Sequence, residues 1–348
     1  MRAARLSGAR TIQIEDVPAP VMSEEHLLLR PRFTGLCGTD LHLWHGGPPA
    51  GEPLVLGHEF SAEIVEVGSA VTDPTLRPGV LVAVEPLWNC GTCAPCRRGD
   101  YNLCRALAFH GLAADHSGGL GELTVVRPRM AHVLPPDLSS LQGALVEPIS
   151  VAHHAVGRAG VAPGDAAVVL GAGPVGIACV LDLVARGIRR IIVSEPSPLR
   201  RGAVVDALTA VGATESAVVL DPGAADLGEA ARELTDGEGV DAVLDAAGVE
   251  VAFQAALGVV RPGGRIVTVA TYLQPVSLHP LLTMLSEIDL RASLAYQDDF
   301  PPVIELMAKG HFPTDAWVST ISLAEVSAAF EHLDAGNGNK ILVDLASA

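Results

Sequence analysis

Residues 166–186 read AAVVLGAGPVGIACVLDLVAR. Five apolar residues, Ala166–Leu170, are a buried strand, and Val175–Arg186 continues as a helix. Between them stands Gly171-Ala-Gly-Pro-Val-Gly176, a G-x-G-x-x-G spacing whose weight comes from its place between strand and helix. The first glycine allows a tight turn, the second lets backbone approach a pyrophosphate, and the third lets helix and strand pack closely. The helix N-terminus then offers free N–H groups and a positive dipole end to phosphates. Glu195 ends the next strand, 19 residues after Gly176, where an acid accepts hydrogen bonds from ribose hydroxyls. A carboxylate there repels a 2′-phosphate, so NAD is expected over NADP, although Arg200 and Arg201 follow closely. The expected cofactor-binding set is Gly171, Gly173, Pro174, Val175, Gly176, Glu195 and Arg200.

Outward from this stretch, Ile191–Ser194, Val218–Leu220, Val240–Asp245, Arg265–Ala270 and Leu290–Tyr296 read as strands alternating with helices. That rhythm implies an α/β fold with a doubly wound parallel sheet. Asp245-Ala-Ala-Gly248 and Val269-Ala-Thr-Tyr272 fall at carboxyl ends of strands, on the nicotinamide side. Cys179, on the helix after the glycines, reads as a small core residue. Upstream of Val146 the texture changes. Leu27–Arg30, Phe60–Val67 and Val80–Val84 are short strands, with turns at Pro18, Pro20, Pro78 and Gly79, so a β-rich, barrel-like domain is expected. From Pro301 on, two amphipathic helices and a strand, Lys340–Leu345, are expected to return to that first domain. The expected boundaries are 1–148, 149–289 and 290–348.

The chain has 348 residues with 23 basic and 40 acidic side chains, a net charge of −17. Nucleic acids and anionic membrane surfaces call for clustered basic residues, so neither is an expected partner. The longest uncharged run, near Ala166 to Leu181, is too short to span a bilayer. A cytoplasmic location is expected, and there six cysteines do not read as a disulfide framework.

Four of them form C-x2-C-x2-C-x7-C at Cys90, Cys93, Cys96 and Cys104. Thiolates this close suit a tetrahedral soft metal. An iron–sulfur cluster competes, but bacterial ferredoxins place the fourth cysteine three residues on, before a proline. Here it follows after seven and precedes Arg105, which favours a closed, structural zinc site in a lobe spanning about 89–105. A second set is dispersed: Cys37 in Cys-Gly-Thr-Asp, His58 in Gly-His-Glu, and Glu147 in Leu-Val-Glu-Pro. A thiolate, an imidazole and a carboxylate would give three ligands and leave a fourth position open.

Together, Cys37-Gly-Thr-Asp-Leu-His42, Gly57-His58-Glu59, the four-cysteine lobe and the glycine motif resemble the zinc-containing medium-chain alcohol dehydrogenases, over nearly the whole chain. Tyr101-Asn-Leu-Cys104, Phe109-His-Gly-Leu112, the stretch from Gly143 to Val156 and Ser293–Phe300 resemble the 2,3-butanediol and sorbitol (polyol) dehydrogenase branch. The resemblance implies a GroES-like catalytic domain joined to a Rossmann domain. It implies Cys37, His58 and Glu147 as catalytic zinc ligands, with Glu59 able to bind the metal or exchange with water. Asp40 would orient His58, and Thr39 and His42 would form a proton relay. Two zinc ions, NAD, a small alcohol or ketone substrate and a homodimer or homotetramer follow from it. Ala62 departs from the usual glycine, and the short connection from Trp44 to Val55 makes the substrate less transferable than the mechanism. His110 and His154 are expected near the active cleft and His116 at the surface, with His153 unassigned. Rival readings are a sorbitol-type or L-threonine-type dehydrogenase and a non-catalytic, zinc-stabilised nucleotide-binding protein.

Overall fold

The computed structural model of the chain describes residues 1–113 and 116–346. Its first unit comprises Met1–Glu147, Phe300–Ile304 and the chain from Val318 on. Leu27–Gly35 and Glu59–Val67 pair antiparallel at its centre, with a register shift between Pro31 and Phe33. Pro31 has no N–H to give the ladder, which accounts for the irregularity. The sheet runs Ala131–Val133, Leu81–Val84, Glu59–Val67, Leu27–Gly35, Lys340–Asp344 and Val318–Ser322, with Thr124–Val126 also on Leu27–Gly35. The closing strand thus lies antiparallel to one near the N-terminus, Leu342 facing Gly35. A hairpin of Arg2–Gly8 and Thr11–Asp16, unforeseen in the sequence, joins Leu54–Val55 in a second small sheet. Trp44, Leu54, Phe330 and Ile341 share one core cluster, and Phe60, Ile64, Val84 and Met130 another.

The second unit comprises Pro148–Asp299 and Glu305–Trp317. Six parallel strands stand in the order Ala217–Leu220, Arg190–Ser194, Ala166–Leu170, Val240–Asp245, Val260–Thr268 and Asp289–Ala292. This is the expected doubly wound sheet. Its chain order reverses between the strands ending at Leu170 and Asp245, and such a switch point opens a ligand crevice. Ala166–Leu170 is buried throughout, and each large aliphatic chain packed here contributes about 1.5–3 kcal/mol. The unit continues to Asp299, beyond the expected boundary at 289, because Asp289–Ala292 pairs with Val260–Thr268 as the sixth strand. No helix among the described residues is long and apolar enough to cross a membrane.

Candidate active site and metal centre

In the lobe, a short helix, Ala94–Arg97, and a 3-10 turn, Tyr101–Leu103, bring the four cysteines together. Their sulfurs all lie within 4.8 Å of one another. Individual Sγ···Sγ separations are 3.4 Å for Cys93–Cys96, 3.9 Å for Cys93–Cys104 and 4.0 Å for Cys90–Cys96. A tetrahedron with metal–sulfur bonds of about 2.3 Å has edges of about 3.8 Å, so the cage fits zinc. Backbone N–H groups point at the sulfurs as they would at thiolates: Cys90 N–H at Cys104 (3.2 Å), Cys93 N–H at Cys90 (3.4 Å) and Ala106 N–H at Cys104 (3.4 Å). Backbone donors at Thr92 and Cys93 draw the Cys90 thiol down to about 5. Partial burial and its thiol neighbours push Cys96 up to about 12. Four sulfurs gathered this closely, with backbone N–H groups aimed at them, make a cage suited to a cation.

The second pocket is built by a helix and a strand. Cys37 caps the helix Gly38–Gly46, whose buried Trp44 packs on Phe330 with ring centres 5.9 Å apart. Glu59 opens the strand Glu59–Val67, directly after His58. Ligand atoms of Cys37, His58 and Glu59 lie within 4.8 Å of one another. Asp40, fully buried, serves both sides: Oδ2 accepts the Cys37 N–H at 2.9 Å, while Oδ1 faces His58 Nδ1 at 3.4 Å. Those two facing atoms have no other partner. Burial alone would hold His58 neutral, yet Asp40 and Cys37 raise its pKa well above the ordinary value. The pocket favours positive charge at the imidazole.

Lys340, on the closing strand, enters the same pocket almost fully buried. Its Nζ donates to the Leu36 carbonyl at 3.1 Å and to Glu59 Oε2. Burial would lower its pKa, but Glu59, Cys37 and Glu147 together raise it. Gly35 leaves the room for this pair, since a Cβ there would run into the Glu59 carboxylate and stand 3.0 Å from Lys340 Cε. Glu147 is buried in this unit and acts on Lys340, but does not join the close trio. The carboxylates of Asp40, Glu59 and Glu147 outnumber the one lysine. Buried charge on that scale needs a counter-ion, and the sulfur, nitrogen and oxygen donors fit zinc. Thr39 Oγ1 lies 3.8 Å from Cys37 Sγ. His42, three residues on along the same helix, is exposed.

In the second unit Gly171 adopts φ +87°, open to glycine and strained for other residues. A Cβ on Gly176 would collide with the Gly171 carbonyl, which is the close packing expected of the third glycine. Gly173 caps the helix Pro174–Ala185 without a side chain, and a Cβ on it would meet nothing. With Pro174 at the first helical position, the N–H groups of Val175 and Gly176 have no intrahelical acceptor, so the cradle fits a phosphate. Glu195, buried, ties the turn in place: it accepts from Ala172 N–H at 2.7 Å and from Ser197 N–H at 2.8 Å. Arg201 is committed to Asp221 at 3.0 Å and to the carbonyls of Glu195 and Pro196. Arg200 Nε is buried without a partner.

Two of the histidine expectations change, those for His110 and His116. His110 belongs to the core, 1% exposed, and burial beside His116 pushes its pKa down to about 3. Trp88 Nε1 donates to His110 Nδ1 at 3.2 Å, so Nε2 carries the proton and meets Thr124 Oγ1 at 2.7 Å. His116 stacks on Trp88 at 4.1 Å. His153 and His154 pair with Asp182 (2.7 Å) and Asp299 (2.9 Å). Cys179 is fully buried, and burial raises its thiol pKa. The missed site residue is Lys340, whose partners lie too far away in sequence to signal it.

A model of the alcohol dehydrogenase GroES-like domain matches residues 23–136, and one of the zinc-binding dehydrogenases matches 174–309. D-xylulose reductase A of Aspergillus oryzae is 33% identical over 97% of this chain and 95% of its own length. The solved 2R,3R-butanediol dehydrogenase of Bacillus subtilis is 32% identical, with a TM-score of 0.88 and 99% of each chain covered. A Sinorhizobium meliloti protein, described as a zinc-binding dehydrogenase bound to NADP, is 30% identical. Its TM-score is 0.89, covering 99% of this chain and 98% of its own.

Proposed function

The chain belongs to the zinc-dependent medium-chain alcohol dehydrogenases, in their polyol and butanediol branch, and on that premise we propose that it exchanges a hydride between NAD and a small vicinal diol, acyloin or polyol. The observation that carries this reading is the close trio of Cys37, His58 and Glu59, its imidazole and carboxylate buried beside Lys340. Zinc held by these residues, with Glu147 in reserve, supplies a Lewis acid, and the scale of its effect is a water pKa lowered from ~15.7 to ~7. NAD, held at Gly171, Gly173, Pro174, Val175, Gly176, Glu195 and Arg200, supplies the hydride acceptor.

The remaining work falls to the chain. Asp40 fixes the His58 ring through Nδ1 and leaves Nε2 to the metal. Lys340 holds one Glu59 oxygen, so the carboxylate stays poised between lysine and metal. A carboxylate that exchanges in this way suits a substrate with two adjacent oxygens, which favours diols and polyols. Thr39 would take the substrate's proton as it gives up its own hydroxyl proton along the relay towards exposed His42, which hands a proton to water. Glu195 beside the ribose position favours NAD. Arg200 supports NADP as the second reading, and kcat/KM with the two cofactors decides between them. Partner and place follow the same reading: a homo-oligomer, in the cytoplasm, with all six cysteines free.

Metal analysis combined with NAD reduction over diols, polyols and amino alcohols tests the proposal. Two zinc ions per chain are expected. Cys37→Ser should lose one ion with the activity, and Cys93→Ser the other ion with stability. One zinc in the parent protein, or activity on threonine with none on diols or polyols, overturns it.

A further inference from the structure

Asp245 is fully buried at the carboxyl end of the strand beside Ala166–Leu170, and the mechanism above leaves it unused. Its Oδ1 accepts the N–H groups of Ala247 (2.9 Å) and Gly248 (3.2 Å), and its Oδ2 accepts the Tyr272 hydroxyl. Its own carbonyl accepts from Val269 N–H (3.0 Å) and Ala270 N–H (3.1 Å). One residue therefore stitches together two loops, 245–248 and 269–272. The Tyr272 ring is fixed from its other side by Phe253, edge-on at 6.3 Å and 88°. These loops press on the phosphate cradle: a Cβ on Gly171 would stand 3.1 Å from Ala247 N and 3.2 Å from the Ala246 carbonyl. Gly248, at φ +70°, sits so close to Ala270 and Thr271 that a Cβ would meet both.

Strand order sets which half of a dinucleotide lies here. Glu195 directly follows the strand on one flank of Ala166–Leu170, and Asp245 ends the strand on the other. With the pyrophosphate at Gly171–Gly176 and the adenosine ribose at Glu195, the other half of the molecule extends over Asp245–Gly248 and Ala270–Tyr272. We infer that Asp245 and Tyr272 are positioning residues for the nicotinamide end of the cofactor, their hydrogen bond holding the two-loop shelf on which the nicotinamide ring rests. This rests on the dinucleotide reading of the glycine motif.

Calorimetric binding of NADH, NADPH and ADP-ribose to the full-length holoenzyme and to Tyr272→Phe tests the assignment. Tyr272→Phe keeps the ring and removes the hydroxyl. The expected result is about tenfold weaker binding of the preferred reduced cofactor, with ADP-ribose, which lacks the nicotinamide, changed less than twofold. Equal weakening of both ligands, or of neither, overturns the assignment. A parent protein that binds neither NADH nor NADPH overturns the cofactor reading itself, which is a distinguishable failure. Asp245→Asn, which keeps an oxygen for Ala247 and Gly248 but removes the charge, should shift the same balance in the same direction. It decides the matter if Tyr272→Phe folds poorly.

Discussion

Asp40 shows how much a single carboxylate can carry. Its two oxygens face different tasks, capping the helix that begins at Cys37 and steadying the ring of His58. Partners that orient a ligating histidine typically contribute 10–100-fold to metal affinity. Asp40→Asn should weaken zinc binding at the catalytic pocket by about that factor, as read by chelator competition, while the lobe keeps its ion. Loss of both ions together would instead mark a general folding defect. Asp40 was legible in the sequence because it stands three residues from Cys37 within a familiar motif. Lys340 was not, because it meets Glu59 across 281 residues and only the sheet brings the two together. Tyr272 and Asp245 were visible only as neighbours on one side of the crevice. Their pairing depends on loop geometry that no spacing encodes.

Among the elements, the parallel sheet was the easiest to read, because its central strand, Ala166–Leu170, is a continuous apolar run between glycines and its phosphate turn is local. The lobe was equally plain, for its four ligands fall within fifteen residues. The N-terminal hairpin was missed because its strand Arg2–Gly8 intersperses arginines with small residues and lacks a clean alternation. One side chain also ties three sheet strands at their starts. Asp241 accepts from Ala166 N–H and from Arg261 Nε, each at 2.8 Å. Partial burial would raise its pKa, but these two donors outweigh it and hold the carboxyl below its ordinary value. A depressed folded-state pKa gives stability above the unfolded value, about 3.9, that is lost as pH falls through the folded one. Asp241→Asn should therefore cost about 1–2 kcal/mol near neutrality. The gap to the parent protein should close below about pH 4 in denaturant titrations. A gap independent of pH would show that packing, not charge, sets the effect.

At the scale of the whole molecule, the sixth strand of the nucleotide sheet, Asp289–Ala292, has a free edge among the described residues. The helix Pro280–Leu285, just before it in sequence, buries none of its residues, and Leu273, Leu281, Leu282, Met284, Leu285 and Leu294 stand exposed. Exposed apolar side chains gathered in this way mark a protein–protein contact face. A two-fold axis through Leu290 would pair the free edges antiparallel and set Asp289 of each copy opposite Arg291 of the other, a favourable cross-strand pair. A dimer is expected in light scattering, and Leu282→Glu with Leu285→Glu should convert it to monomers. A parent protein that is monomeric, or a double variant that stays dimeric, excludes this face.

The buried Lys340 also has a consequence for biosynthesis. Cys37, His58 and Glu59 are translated early, whereas the cation that balances Glu59 arrives nearly three hundred residues later, on the strand that slots beside Leu27–Gly35. A nascent chain that has emerged only as far as its nucleotide sheet holds an unbalanced cluster of acids with no strand to close over it. The four-cysteine lobe, complete by residue 104, has no such dependence. The lobe is therefore complete during translation, whereas the pocket around Glu59 is complete only after the closing strand has inserted.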